Sequence, residues 1–277
     1  MPDITSSPGP QPVAPAASVS APTPAAAQVQ TSKRSFLQEL IGLASAFGAV
    51  AATGPATAAA LPGSQPPRRP GMAGKRFGML VDIRKCIGCQ ACTVSCSVEN
   101  QPPIGQFRTT VLQYEIDKPD GSMPAMVSLP RLCNHCEEPP CVPVCPVQAT
   151  FQREDGIVLV DNERCVGCGY CVQACPYDAR FINHETQTAD KCTFCEHRLE
   201  VGLLPACVES CVGGARVIGD LNDPQSEINR RMAAHEEGVK VLKPGMKTEP
   251  RVFYIGLPDE FVDGVDGQAS VRLVSEH

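Results

Sequence analysis

Apolar residues along this chain occur in short runs that are separated by polar and glycine-containing turns. The runs Gly156–Asp161 (GIVLVD) and Asp178–Ile182 (DARFI) predict two strands, because a few Val, Ile, Leu or Phe residues between turn residues are typical of a strand. Between them, Tyr170–Ala174 predicts a short helix. The order strand, loop, helix, strand predicts an α+β fold that is rich in loops.

The last part of the chain carries two further signals. Asp223 and Pro224 are typical of a helix N-cap and of the first helical residue, and Gly238 is typical of a helix end. We therefore expect a helix between Asp223 and Gly238. The apolar run Arg251–Leu257 (RVFYIGL) predicts a strand after it.

The cysteines change this picture, because all 16 fall into four groups with related spacing. Every group begins with two cysteines separated by two residues and ends with two separated by three. Such an internal repeat indicates one small unit that is built several times. The groups are Cys86, Cys89, Cys92 and Cys96; Cys133, Cys136, Cys141 and Cys145; Cys165, Cys168, Cys171 and Cys175; and Cys192, Cys195, Cys207 and Cys211.

The spacing of the third group, C-x2-C-x2-C-x3-C-P, is the run that binds [4Fe–4S] clusters in bacterial ferredoxins. In that run the first three cysteines bind one cluster and the fourth binds another. Disulfides fit triplets of this spacing poorly. Structural zinc normally takes two well-separated C-x2-C pairs, and only the fourth group can be read that way. The sixteen cysteines therefore predict four [4Fe–4S] clusters, with iron as the bound metal.

Several residues next to the cysteines are candidates for a role at the clusters. Gly88 and Gly167 precede the second cysteine of their groups, where a positive φ lets backbone N–H groups face the sulfurs; the alternative is an ordinary turn glycine. His135 and His197 also lie beside cysteines. Histidine replaces cysteine at some clusters, but here every ligand place is already filled, so we interpret both as structural or hydrogen-bonding residues.

Basic residues stand one or two positions before the first cysteine of each group. A cluster with four thiolates carries net negative charge, and nearby charges change its potential, so these cations could stabilise it. The alternative is a solvated surface charge of little energetic worth. The residues are Lys85, Arg131, Arg164 and Lys191.

Composition excludes several other function classes. The net charge of −6 offers no basic face for nucleic acid, and a weakly acidic chain is usually simply soluble. The sequence has no phosphate-binding loop, dinucleotide fingerprint, H-E-x-x-H motif or nucleophile elbow. Acidic residues and serines are scattered without a catalytic constellation. We therefore expect no catalytic residue and no small-molecule substrate site.

The N-terminal part resembles a leader followed by an export signal. Residues 1–31 are rich in Pro, Ala, Ser and Gln and should be disordered. Residues 32–61 combine the basic pair Lys33 and Arg34 with an apolar stretch, Leu40–Ala52, that is shorter than the roughly 20 residues of a membrane span. The segment SKRSFLQ is similar to the twin-arginine signal, with lysine in place of the first arginine. A surface amphipathic helix is the alternative. We expect export in the folded state to the periplasmic side of the cytoplasmic membrane.

Four segments resemble one family of cluster-binding proteins. CIGCQACTVSC, LCNHCEEPPCVPVCP, CVGCGYCVQACP and KCTFCEHRLEVGLLPACVESC are similar to the four-cluster iron–sulfur subunits that accompany molybdopterin oxidoreductases of the dimethyl sulfoxide reductase family. The resemblance covers about Arg76–Asp220. It implies a core at 75–220 made of two ferredoxin-like modules, one from groups one and four and the other from groups two and three. Residues 221–277 would then be a C-terminal tail that contacts a partner.

The resemblance also implies which cysteines share a cluster. Each module exchanges the last cysteine of its two groups. The implied ligand sets are Cys86, Cys89, Cys92 and Cys211; Cys96, Cys192, Cys195 and Cys207; Cys133, Cys136, Cys141 and Cys175; and Cys145, Cys165, Cys168 and Cys171.

By the same resemblance, the chain would carry electrons between a membrane subunit that oxidises quinol and a catalytic subunit that holds molybdopterin. The chain itself would be a non-catalytic subunit attached to the membrane through its partner. Two other classes stay open at this point. One is a free-standing ferredoxin-like carrier. The other is an iron–sulfur enzyme or redox sensor, which would need an incompletely ligated cluster, whereas each group here has four cysteines.

Overall fold

The structure is a computed structural model that describes residues 66–117, 121, 123–235, 238–263 and 271–275. The predicted leader at 1–31 and the predicted export signal at 32–61 lie outside the described residues. For residues 271–275 the structure describes the backbone alone.

Short strands and short helices alternate along the described chain. The strands are β1 (Phe77–Asp82), β2 (Thr109–Ile116), β3 (Ala125–Leu132), β4 (Thr150–Gln152), β5 (Val158–Val160), β6 (Arg180–Ile182), β7 (Ala189–Lys191), β8 (Arg216–Asp220), β9 (Val239–Lys240), β10 (Val252–Ile255) and β11 (Val271–Ser275). The α-helices are α1 (Ala91–Asn100), α2 (Tyr170–Gln173), α3 (Glu196–Leu199), α4 (Ala206–Glu209), α5 (Glu227–Ala233) and α6 (Glu260–Asp263). Two 3-10 turns cover Ile83–Lys85 and Pro244–Met246. This mixture of helices and small sheets agrees with the α+β prediction.

The largest sheet has the strand order β8-β1-β10-β9. Strand β1 pairs antiparallel with β8 and parallel with β10. Every residue of β1 is buried, as expected for a continuous apolar run that is covered on both faces. Since β1 is the first strand and β10 comes late in the chain, this sheet joins the two ends of the described part.

A second sheet, with the order β11-β2-β3, is antiparallel throughout. Four residues of β2 are buried, and two of them, Val111 and Tyr114, belong to the core together with Leu129 of β3. The Tyr114 ring meets the ring of Phe261 edge to face, with 5.0 Å between centroids. Aromatic packing of this kind fixes α6 against the sheet.

Two hairpins flank the third cysteine group. Strand β4 pairs with β5 before it, and β6 pairs with β7 after it. The predicted strands at Gly156–Asp161 and Asp178–Ile182 are confirmed as β5 and β6, and the predicted helix at Tyr170–Ala174 is confirmed as α2. The local pattern of strand, loop, helix and strand is therefore present around Cys165–Cys175.

The helix predicted from Asp223 and Pro224 begins later than expected. Ser226 is the N-cap residue of α5. The side chain of Asp223 instead accepts a hydrogen bond from the backbone N–H of Gln225 at 2.9 Å, so Asp223 forms a turn of its own ahead of the helix. The N-cap prediction was wrong by three positions, because aspartate suits such a turn as well as it suits a cap.

The predicted C-terminal tail contributes strands to both larger sheets. Strand β10 confirms the strand predicted at Arg251–Leu257, and it pairs with β1. Strand β11 pairs with β2. The proposed contact of 221–277 with a partner stays a prediction. No helix within the described ranges has the length and apolar character that crossing a membrane requires.

Candidate metal centres

Three cavities inside the molecule are each lined by four cysteines. We call these the first, second and third sets. The first set is Cys86, Cys89, Cys92 and Cys211; the second is Cys96, Cys192, Cys195 and Cys207; the third is Cys133, Cys136, Cys141 and Cys175. In every set one cysteine comes from a different group of the sequence than the other three. The fold thus brings together cysteines that lie far apart in sequence.

Helices α1 and α4 explain how two groups exchange cysteines. Cys92 and Cys96 lie about one turn apart on α1, and they line different cavities. Cys207 lies on α4 and faces the second set, whereas Cys211 follows the end of α4 and faces the first. Ser95 joins the two helices through a hydrogen bond to the hydroxyl of Ser210 at 2.7 Å. The helix pair therefore stands between two cavities and supplies sulfurs to both.

The remaining cysteines, which we call the fourth set, are Cys145, Cys165, Cys168 and Cys171. Cys171 is buried in a small apolar cluster with Val142, Val158 and Ala189, and Cys165 packs against that cluster. The sulfur of Cys165 accepts a hydrogen bond from the backbone N–H of Ala189 at 3.3 Å. This links the third cysteine group to strand β7.

Backbone N–H groups point at several cysteine sulfurs in a repeated manner. The N–H of Ala149 donates to Cys145 at 3.2 Å, and the N–H of Ala215 donates to Cys211 at 3.2 Å. Both donors stand four residues after the last cysteine of a group. Hydrogen bonds to a sulfur favour its thiolate form, which is the form that binds metal.

The loops around the second cysteine of groups one and three depend on glycine. Gly88 and Gly167 have φ of +70° and +66°, which confirms the positive φ predicted for both. A side chain on Gly167 would also place its Cβ 2.2 Å from the carbonyl oxygen of Gln187. Glycine at 167 therefore allows this cysteine loop to lie directly against the turn between β6 and β7.

Burial is the main influence on the pKa of the free cysteine thiols. It raises the pKa of Cys96 to about 12 and that of Cys141 to about 11, with the neighbouring cysteines adding to the effect at Cys96. Such thiols bind a proton at neutral pH unless a metal takes its place.

The residues present fit an iron–sulfur group. Four thiols share one cavity in each of three places, and backbone N–H groups approach sulfurs of the first and fourth sets. Thiolate ligands and N–H groups on sulfur are the usual surroundings of such clusters. Within the described ranges, no three or more His, Cys, Asp or Glu side chains are arranged to hold a single metal ion.

The basic residues predicted near the cysteines divide into two kinds. Lys191 is buried, and its Nζ donates to the backbone carbonyls of Val158 and Cys192. Arg131 donates to the carbonyl oxygen of Tyr177 at 2.9 Å. Lys85 and Arg164 are exposed, and Lys85 also lines the cavity of the first set.

The sequence did not indicate a role for two buried arginines near the cavities. Arg180 lines the cavity of the third set, and Arg216 lines that of the first. The signal that could have found them is the repeated pattern Cys-x3-Ala-Arg, which occurs as CPYDAR and CVGGAR.

Both histidines make structural contacts. His135 is fully buried, accepts a hydrogen bond from the N–H of Val158 at 3.0 Å, and stacks on Phe194. Burial, more than the nearby cations, holds the pKa of His135 well below its usual value, so the ring is neutral. His197 lies at the surface, 2.8 Å from Glu99.

Known proteins resemble this chain over different lengths. The 4Fe-4S dicluster domain family matches residues 124–221. The B subunit of tetrathionate reductase from Salmonella typhimurium is 61% identical over 90% of this chain and 97% of its own length. The corresponding B subunit from Archaeoglobus fulgidus is 45% identical over 66% of this chain and 84% of its own. The B chain of polysulfide reductase from Wolinella succinogenes is 42% identical over 65% and 94%, respectively.

The similarity to the Salmonella protein therefore covers nearly all of both chains and includes the entire cysteine repeat. The cavities, the donor set and these relatives agree on one conclusion. This protein belongs to the family of the tetrathionate reductase B subunits and the related iron–sulfur electron-transfer subunits of reductase complexes.

Proposed function

We propose that this protein binds four [4Fe–4S] clusters, one on each of the four cysteine sets. The observation that carries this proposal is the lining of three separate cavities by four cysteines each. The fourth set is assigned from the cysteines that remain and from the repeat that they share with the others. Iron in a cubane takes one thiolate per iron, so each set supplies a complete coordination shell.

The exchange of cysteines divides the core into two ferredoxin-like modules. The first and second sets draw on groups one and four, and the third and fourth sets draw on groups two and three. The additional residue before Cys175 moves that cysteine away from Cys165, Cys168 and Cys171, which lets it serve the third set. Cys145 serves the fourth set in return.

The four clusters act as a relay for single electrons. The chain is an electron-transfer subunit and not the catalytic subunit of its complex. We assign the source of the electrons to a membrane subunit that oxidises quinol, and their destination to a catalytic subunit with molybdopterin. Residues 221–277 belong to the surface that contacts a partner in this proposal.

Tetrathionate is the terminal acceptor that the similarity favours. The support is the match to a tetrathionate reductase subunit over nearly the whole chain, well beyond the residues that clusters require. Similar chains include subunits of polysulfide and dimethyl sulfoxide reductases. The alternative acceptors are polysulfide, thiosulfate, dimethyl sulfoxide and nitrite.

We place the complex on the periplasmic side of the cytoplasmic membrane. The support is the basic pair Lys33 and Arg34 ahead of Ser35, Phe36 and Leu37, which is similar to the twin-arginine signal. Clusters are assembled in the cytoplasm, so the protein would cross the membrane folded, with its thiolates already bound to iron.

Anaerobic iron and sulfide analysis of the purified protein tests the cluster count. Four clusters correspond to about sixteen irons per chain. Zinc in place of iron, or about half that iron content, would contradict the proposal.

Deletion of the chain tests the relay and the acceptor separately. We expect the deletion to abolish quinol-linked reduction of tetrathionate, while an artificial donor still reduces the catalytic subunit. If the deletion removes respiration of another acceptor and leaves tetrathionate respiration intact, the relay stands and the tetrathionate assignment is wrong. If no quinol-linked reduction is lost, a free-standing carrier is the better account.

A further inference from the structure

Two buried arginines occupy equivalent positions in the cysteine repeat. Arg180 stands five residues after Cys175, and Arg216 stands five residues after Cys211. Their exposed fractions are 4% and 3%. Arg180 lines the cavity of the third set, and Arg216 lines that of the first. A guanidinium group is therefore part of the wall of each of these two cavities.

A threonine connects each guanidinium with a second cysteine set. Nη2 of Arg216 donates to Oγ1 of Thr109 at 3.0 Å, and Thr109 lines the cavity of the second set. Nη1 of Arg180 donates to Oγ1 of Thr150 at 3.2 Å, and the N–H of Thr150 donates to the sulfur of Cys145 at 3.5 Å. Arg216 thus lies between the first and second sets, and Arg180 lies between the third and fourth.

In the module of groups two and three, the repeat explains why a single arginine serves both halves. Thr150 stands five residues after Cys145, at the position that corresponds to Arg180 in the other half of its module. The two equivalent positions meet across the module and form the hydrogen bond described above. One half supplies the cation and the other half supplies the hydroxyl that holds it.

Neither arginine has a carboxylate partner among the described residues, where every ion pair involves other side chains. In addition, Nη2 of Arg180 and Nη1 of Arg216 are buried without a hydrogen-bond partner. A buried cation without an opposite charge is strongly unfavourable. The compensating negative charge must therefore come from something close to the guanidinium groups.

Cysteines of two sets lie near each guanidinium. Arg216 lines the first cavity together with Cys92, and its partner Thr109 lines the second cavity together with Cys207. Arg180 lines the third cavity together with Cys141, and its partner Thr150 donates its N–H to the sulfur of Cys145. Cys92 and Cys207 belong to the first and second sets, and Cys141 and Cys145 to the third and fourth. The negative charge that each arginine faces is shared between two sets.

We infer that Arg216 and Arg180 are fixed positive charges that raise the reduction potentials of the two clusters on either side of each. This inference rests on the proposed binding of clusters to the four sets. A cluster with four thiolates is negatively charged and gains one more negative charge on reduction, so a nearby cation stabilises the reduced form more than the oxidised form. In a buried site this effect is little weakened by salt.

Redox titration of single variants tests the inference, with the full chain purified in its complex. Arg216→Gln removes one charge and keeps a hydrogen-bonding amide, and Arg180→Gln does the same in the other module. Potentials are read anaerobically from the electron paramagnetic resonance signals of the reduced clusters. Arg216→Lys is the matched control that retains the charge, and Lys240→Gln is the control away from the cavities, where Lys240 pairs with Asp259.

We expect Arg216→Gln to lower two of the four reduction potentials by at least about 59 mV. This shift corresponds to a tenfold change in the equilibrium constant of a one-electron reduction. Arg180→Gln should lower the other two. Arg216→Lys should retain most of the natural potentials, and Lys240→Gln should leave all four unchanged. Potentials that stay in place in both glutamine variants, or that shift equally in all four clusters, would overturn the inference.

If a glutamine variant loses its clusters, a second pair of variants tests the same inference. Thr109→Val and Thr150→Val remove the hydroxyl that holds each guanidinium and leave every charge in the chain. Each should shift only the two potentials of its own module. The absence of any shift in both would refute the role of the arginines. Iron content of the natural protein far from sixteen would instead refute the four clusters themselves, independently of these variants.

Discussion

The imidazole ring of His135 stacks on the phenyl ring of Phe194, with 3.8 Å between the ring centroids and 30° between the planes. His135 lies between Cys133 and Cys136 of the third set, and Phe194 lies between Cys192 and Cys195 of the second. The stack therefore joins a cysteine loop of the third set directly to a cysteine loop of the second.

Phe194→Ala should weaken the joint between these loops. Both rings are almost completely buried, and removal of a buried phenyl ring costs about 3 kcal/mol or more. We expect the variant to lose its visible cluster absorbance much faster in guanidinium chloride under anaerobic conditions. Phe151→Ala is the matched control, because Phe151 is only partly buried and lies under the Arg69 side chain. Equal rates of loss in both variants would show that the stack does not hold the loops together.

Gly167→Ala should damage the fourth cluster. The added methyl group would meet the carbonyl oxygen of Gln187 at 2.2 Å, and it would also sit on a residue with positive φ. Gly169→Ala shares the positive φ, but its methyl group meets nothing within 4 Å. The two variants therefore carry a similar backbone penalty, of about 1 kcal/mol, and differ in the collision.

The measurement for this pair is iron content after anaerobic purification. We expect Gly167→Ala to lose about four of sixteen irons, which is one cluster, and Gly169→Ala to lose almost none. If both variants bind iron as the natural protein does, the loop has room to move and the collision is not decisive.

Cys211→Ser should disturb the cluster of the first set and spare that of the second. Cys211 lines the cavity with Cys86, Cys89 and Cys92, although it stands only four residues after Cys207. Cys89→Ser is the reference variant, because Cys89 belongs to the first set by the same cavity. Spectra of the reduced proteins should show the same cluster altered in both. A change in the cluster of Cys192, Cys195 and Cys207 would mean that the exchange of cysteines is wrong.

Changing Lys33 and Arg34 together to glutamine should trap the protein in the cytoplasm. The physical reason is that recognition of this kind of signal depends on the paired positive charges ahead of Phe36 and Leu37. Fractionation of cells, followed by detection of the protein in each fraction, measures the effect. Normal export of the double variant with its clusters intact would refute the twin-arginine interpretation.

Local features of the cysteine repeat could be predicted because they depend on neighbours in sequence. The helix at Tyr170–Ala174, the two strands on either side of it and the positive φ of Gly88 and Gly167 were all correct. Each of these features depends on contacts between residues that are close together in the sequence. The start of α5 at Ser226 was missed, since Asp223 suits a turn and a cap about equally well.

The position of the two arginines shows what the sequence alone did not reveal. Lys191, which directly precedes a cysteine, was singled out, whereas Arg180 and Arg216 lie five residues beyond one and were overlooked. Their burial between two sets depends on Thr150 and Thr109, which belong to other parts of the chain. No rule of local spacing reports such a contact.

The sequence by itself determined how many sulfurs there are, how they are spaced and which short elements carry them, since spacing of two or three residues constrains where neighbouring side chains can point. Only the tertiary structure decided which sulfurs face a common cavity. Cys92 and Cys96 are one helical turn apart and line different cavities, while Cys92 and Cys211 line the same one. The reason is the packing of α1 against α4 and the pairing of β1 with β8 and β10, which are contacts between distant segments.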